Sequence, residues 1–276
     1  MSSFYPDVGP TAAFDASGKE EDQRVVVIAG FVSSAKDWIS FSDQWQKRLA
    51  VDGFSYFHMV EFAHSEKHFA KLKGQERKRR ALLNDLMEII IGHVYRKFAL
   101  NIRVPDFVTG LDEEFRKKYY LTTYSLLGRV IAAEAYTWHR EEKWNAPLRL
   151  VFETGDDTRE LSERLRNDGY RIPDFRPRTD RVDKQGIIEP GYIPLQAADF
   201  LAYEFFLSSK RRIEGLDFDA RWAWREFRRI AGERGMFSEK SITGARDLFS
   251  YIQAAHSTIE SLANAVEKGR KERDET

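Results

Sequence analysis

The sequence predicts an α/β fold: a mixed central sheet with helices on both faces, to which inserted and C-terminal helices are added. Three observations predict it. Arg24–Val32 (RVVVIAGFV) is an apolar, β-branched run of strand length, so it is expected to be a buried strand. Leu148–Glu153 (LRLVFE) is a second such run, expected to be covered on both faces. Around these runs lie segments whose apolar residues recur every three or four positions, the spacing of helices that pack one face onto a sheet.

Thr11–Asp15 is expected to be a short first strand, and the polar stretch Ser17–Asp22 a hairpin connection to the second. Trp38, Phe41, Trp45 and Leu49 mark a helix over Trp38–Val51, followed by a short apolar stretch at Phe54–Met59. Leu82, Leu83, Leu86 and Ile90 form the buried stripe of a helix over Glu76–Gly92. Val94–Val104 reads as a third strand that Pro105 stops, and Glu114–Arg140 as one long amphipathic helix. After Leu148–Glu153, the acidic start of Asp156–Asn167 suits a helix N-terminus. Phe175–Asp183 holds a further strand, weakened by Pro177. Pro194–Ser208 is a helix with Pro in its first turn, and Asp217–Gly232 and Ser241–Lys268 are terminal helices ahead of a charged tail.

No repeat or Pro/Gly/Ser linker divides the chain of 276 residues. The expected organisation is an N-terminal extension over 1–10, one domain over 11–208 with a helical insertion at about 34–92, and a C-terminal helical extension over 209–276 packed on that domain. There is no cysteine, which removes disulfides and thiolate metal sites. No run approaches the roughly 18 apolar residues of a membrane span. The expectation is therefore a cytoplasmic protein with no membrane partner.

The formal net charge is zero, with 44 basic and 44 acidic residues, so local patches govern any affinity for nucleic acid. Two basic segments stand out: Lys71–Arg80 (KLKGQERKRR), and Lys210–Arg234, where Trp222, Trp224 and Phe227 interleave with arginines. Either could line a phosphate-binding surface, and either could be the solvated side of a helix whose aromatics face the core.

The chemistry-bearing residues are carboxylates in apolar settings. Asp15 closes the first strand (FDASG), Glu153 closes the fourth, and Asp199 lies inside the helix LQAADFLAYE. A carboxylate is costly in such surroundings unless something binds it. Three of them on two strand ends and one helix suit a divalent metal, since Mg²⁺ and Mn²⁺ prefer oxygen ligands and paired ions promote phosphodiester hydrolysis. Considered alone, Asp15 is explained equally well as the cap of the Ser-Gly turn that follows it; Asp199, more firmly placed among apolar helix neighbours, has as its alternative an outward-facing position near the helix N-terminus. His58 and Glu61 (FHMVEF) stand three apart and share one face of a helical turn, as a base, a phosphate contact or an extra ligand. Glu134, Asp156 and Asp157 are further acids that could join the site, and Gln196 could steady a ligand. There is no nucleophile elbow, Walker A loop or HExxH motif.

FDASG, VVVIAGFV, Trp38 to Trp45, FHMVEF and PLQAADFLAY together resemble the DUF3800 family, over roughly Thr11 to Leu207. That resemblance implies a ribonuclease-H-like fold and a metal-dependent nuclease site. It places Asp15 as the acid of the first strand, Glu153 as the acid of the strand after the long helix, and Asp199, beside Gln196, as the acid of the closing helix. It matches His58 to the histidine of a mid-chain motif. The chain departs from the family pattern at Ala16, where Glu is usual, and at Glu153, where many members carry Asp. The side chain after Asp15 is expected on the other sheet face, so Ala16 need not affect a site.

The expected function is hydrolysis of phosphodiester bonds in nucleic acid, DNA or RNA, with Mg²⁺ or Mn²⁺ held by Asp15, Glu153 and Asp199 and with His58 and Glu61 assisting. The alternatives are a non-catalytic interaction protein that keeps the fold, and a metal-dependent hydrolase of small phosphate substrates. A homodimer or a protein partner is compatible with the aromatic content of the terminal segments.

Overall fold

The structure is a computed structural model that describes residues 9–18, 24–119, 121–155, 158–182, 185–217 and 221–237. The expected helix over Ser241–Lys268, the acids Asp156 and Asp157, and much of the Ser17–Asp22 connection lie outside these residues.

The β-branched runs become the sheet. Strand β1 (Thr11–Ser17) pairs antiparallel with β2 (Val25–Ser33), with Asp15 opposite Ala29. Gly18 follows β1 at a φ of 86°, and a Cβ there would stand 2.5 Å from the Val25 carbonyl oxygen and 2.8 Å from the Phe206 ring. After β2 come α1 (Ala35–Val51), α2 (Met59–His64), a short 3-10 segment (Lys67–Leu72) and α3 (Glu76–His93). Strand β3 (Arg96–Arg103) then pairs antiparallel with β2. It hands over to α4 (Val104–Gly110), where Pro105 sits in the first turn and so starts a helix while ending the strand.

The expected single helix over Glu114–Arg140 is two: α5 (Glu113–Tyr119) and α6 (Thr123–Glu141). Thr122 separates them. Its side chain accepts from the Ser125 backbone N–H and the Ser125 hydroxyl accepts from the Thr122 N–H, a reciprocal cap that begins a new helix.

Strand β4 (Arg149–Glu153) lies parallel to β1, and after α7 (Thr158–Asn167) the three-residue β5 (Asp174–Arg176) lies parallel to β4. The expected strand over Phe175–Asp183 is broken at Pro177. Its later part is β6 (Arg181–Val182), which forms a small ribbon with β7 (Ile188–Glu189). Helix α8 runs from Pro194 to Ile213, past the expected boundary at 208. Beyond it, the expected helix over Asp217–Gly232 shrinks to α9 (Trp222–Phe227), and β8 (Gly232–Phe237) joins the main sheet parallel to β3. The 209–276 segment therefore contributes a strand as well as a helix. The sequence GERGMF carries no alternation to announce it.

The resulting sheet has six strands in the order β5-β4-β1-β2-β3-β8, with a core on each face. One core packs Ala13, Val27 and Val151 against α1, α2, α3, α8 and α9, with Trp45, Phe57, Phe200 and Trp224 among its fully buried side chains. The other packs Phe14, Ile28 and Phe152 against α4, α6 and α7. Period-2 alternation places Asp15 and Glu153 on the face of Ala13 and Val151, beneath α8, and Ala16 on the opposite face, as expected. No helix among the described residues is long and apolar enough to cross a membrane.

Candidate active site

The parallel neighbours β1, β4 and β5 run their C-terminal ends to one edge of the α8 face, where parallel strands commonly open a crevice. Asp15 and Glu153 stand at two of these ends. Arg178 follows the third by two residues, and Asp199, one and a half turns into α8, closes the group from above. Thus the three acids named from the sequence are brought together. They converge on the Arg178 guanidinium, which sequence reasoning missed.

Arg178 makes a paired contact with Glu153 through Nε and Nη2. Its Nη2 is 3.3 Å from Asp15 Oδ2 and its Nη1 is 2.9 Å from Asp199 Oδ1. The last two are ionic contacts rather than hydrogen bonds, because buried Asp15 Oδ2 and Arg178 Nη1 lack hydrogen-bond alignment. The second oxygen of each aspartate is held by backbone: Asp15 Oδ1 accepts from the Ala16 N–H at 2.7 Å, and Asp199 Oδ2 from the Met59 N–H at 2.6 Å.

The electrostatics follow from burial and crowding. Burial raises the Asp15 carboxyl well above its usual range; Arg178 opposes this, and the neighbouring Glu153 and Asp199 charges add to it. Burial likewise raises Asp199, against the pull of Arg178, His58 and the Met59 N–H. Burial also acts on Glu153, but the Asp15 carboxyl beside it, when protonated, and the Arg178 guanidinium outweigh it and lower this group. Asp15 is therefore the acid that holds a proton most readily, and Glu153 the one that stays ionised.

Gln196, one turn before Asp199, fixes the frame. Its Oε1 accepts from Trp45 Nε1 at 2.9 Å and from the Phe57 N–H at 2.8 Å, while its Nε2 donates to the Arg178 carbonyl oxygen at 3.0 Å. One amide thus ties α1, the loop before α2 and the segment after β5 to α8.

His58 caps α2 from extended backbone, and its Nδ1 lies 2.8 Å from Glu61 Oε1. It is near enough that its charge acts on both Glu153 and Asp199. Buried Glu61 also accepts from Tyr56 Oη at 2.7 Å and from Lys67 Nζ at 2.6 Å. Burial disfavours its ionised form, but the bonds from His58, Lys67 and Tyr56 prevail and hold its pKa at about 2. Glu61 therefore orients His58 instead of joining the carboxylates. Glu134 is exposed on α6, whose packed side covers the other sheet face, so it does not join the site.

The donor set has the chemistry of a hard-cation site: carboxylates only, with one buried oxygen lacking a hydrogen bond. As arranged around Arg178, no three His, Asp or Glu side chains among the described residues form a ready metal-ligand group. The carboxylate oxygens are the donor type a divalent ion takes, but the place among them is filled by the guanidinium.

Part of each basic segment is committed to structure. Lys71 donates to the Asp52 carbonyl oxygen and lies over the Phe54 ring; Arg79 bonds Ser65 and lies over Phe62. Arg221 pairs with buried Glu204, Arg229 with Glu88, and Trp224 and Phe227 are in the core. Lys73, Arg77, Lys78 and Arg80 are exposed. Comparison with protein-family models, with curated proteins and with solved structures finds no match for this chain.

Proposed function

We propose that this chain is a divalent-metal-dependent nuclease of ribonuclease-H-like type. The observation that carries this reading is the convergence of Asp15, Glu153 and Asp199, from two adjacent parallel strands and the helix above them, on one cation position. The sheet with helices on both faces and the origin of each acid agree with the DUF3800 resemblance.

Asp15, Glu153 and Asp199 would hold Mg²⁺ or Mn²⁺. The metal would supply charge neutralisation at the phosphate and a more acidic bound water. His58, oriented by Glu61 and next in the chain to Met59, whose N–H binds Asp199, is placed to move a proton at the edge of the group. Gln196 keeps the acids and His58 in one frame. Exposed Lys73, Arg77, Lys78 and Arg80 offer a surface for a phosphate backbone, which makes binding salt-dependent.

The guanidinium seated among the acids favours a second reading, an interaction protein that keeps the fold and uses Arg178 as its permanent counter-charge. Incubation with labelled single- and double-stranded DNA and RNA, in Mg²⁺, Mn²⁺ or EDTA, separates the two. Cleavage that requires metal and is lost in Asp15→Asn and Asp199→Asn supports the nuclease. No cleavage, together with no metal binding, leaves the interaction protein.

A further inference from the structure

We propose that Arg178 is a resident counter-cation at the metal position, so that a divalent ion enters by exchange with the guanidinium and not by filling a vacant cage. This rests on the metal-dependent reading above.

Three carboxylates this close repel one another, and a cation among them relieves the repulsion without protonating any of them. Arg178 supplies that cation by touching all three, at 3.3 Å from Asp15, 2.9 Å from Asp199 and in a paired contact with Glu153. Only the Glu153 pair has hydrogen-bond geometry; Asp15 Oδ2 and Arg178 Nη1 remain buried without an aligned partner. A planar fork satisfies one carboxylate at a time, whereas a spherical ion accepts oxygen ligands from several directions. The guanidinium is thus an incomplete match for a set that a metal matches better.

The way out is also built. Gln196 Nε2 holds the Arg178 carbonyl oxygen, and the Pro177 carbonyl oxygen accepts from the Tyr192 N–H at 2.8 Å, so the backbone is pinned on both sides of the Cα. The side chain is 18% exposed, and it leaves by rotating about its own torsions without unfolding the segment. A position occupied by a tethered competitor has an apparent affinity lowered by the fraction of time it is open.

The test is Mn²⁺ titration of the EDTA-treated full chain, by calorimetry and by the loss of free Mn²⁺ signal in electron paramagnetic resonance, with thermal melting alongside. Arg178→Gln is expected to bind Mn²⁺ about tenfold tighter or more than wild type, to melt lower in EDTA and to regain its melting temperature with Mn²⁺. Arg178→Lys, whose single ammonium cannot touch all three acids, is expected to fall between them and decides the matter if the Gln variant does not fold. Wild type binding Mn²⁺ in a manner lost in Asp199→Asn, with no tightening in the Arg178 variants, overturns the exchange but keeps the metal site. No Mn²⁺ binding by wild type or by any folded variant overturns both.

Discussion

Arg178 Nη1 lies 2.9 Å from Asp199 Oδ1, and the other oxygen of that carboxylate accepts from the Met59 N–H at 2.6 Å. Asp199 therefore joins the segment after β5 to the start of α2 through α8. Losing it leaves a buried guanidinium short of a partner and a buried N–H without an acceptor. Asp199→Ala is expected to destabilise the protein by about 3–5 kcal/mol, the range for breaking one side of a buried pair. Asp199→Asn keeps an acceptor for Met59 and is expected to cost less. Urea unfolding of the two variants checks the order; equal losses would show that the Met59 acceptor contributes little and that the ionic contact, lost in both, carries the cost.

Gln196 has a purely structural share that can be separated from any catalytic one. Gln196→Leu fits the volume but strands Trp45 Nε1, the Phe57 N–H and the Arg178 carbonyl oxygen. Each stranded buried group costs about 1–3 kcal/mol, with partial rescue by water, so a loss of about 2–4 kcal/mol is expected in chemical denaturation. Gln196→Glu retains an acceptor but loses the donor to Arg178, and is expected to lie between Leu and wild type.

The elements that were legible in the sequence carry strong local patterns. The run VVVIAGFV, the Trp38–Leu49 stripe and the Pro194 helix start all form where expected. The face of Ala16, opposite that of Asp15, is also as expected, because alternation along a strand fixes side-chain direction. Arg178 was not legible. It is one of several arginines in RIPDFRPRTDR, and nothing local distinguishes it from Arg176, whose guanidinium donates to the Pro190 carbonyl oxygen instead. Only the long-range pairing of β4 with β5 selects it. Tyr56 and Lys67 were missed for the same reason, since their bonds to Glu61 depend on the turn into α2 and the 3-10 segment after it. β8 escaped because its partner is more than a hundred residues away and its sequence has no strand periodicity.

The break between α5 and α6 was encoded locally, in Thr122 and Ser125, though the apolar stripe running through both helices obscured it. Thr122→Ala removes the side-chain acceptor of the cap, and a loss of about 1 kcal/mol in thermal or urea unfolding is expected. Thr122→Ser keeps the acceptor and is expected to restore most of it. A Thr122→Ala variant as stable as wild type would mean that packing on β3, not the cap, sets this boundary.

Glu61 gives a pH dependence whose sign is fixed. Its pKa is about 2 in the folded protein against 4.5 for an unperturbed side chain, so the folded state favours its ionised form. The stabilisation is complete above pH 4.5 and is lost as the pH falls from there through about 2. A partner as exposed as Lys67, at 66%, weakens the effect, and about 2 kcal/mol is expected across that window. Asp15 and Asp199 shift the other way, because burial raises both, so the acid curve of wild type alone mixes opposing contributions. The difference in unfolding free energy between wild type and Glu61→Gln cancels them. That difference is expected to be largest at pH 5 to 6 and to shrink steadily towards pH 2 (Tyr56 still has an acceptor in the variant). A difference that stays flat with pH would show that the Tyr56, His58 and Lys67 contacts hold the Glu61 side chain by shape and not by its charge.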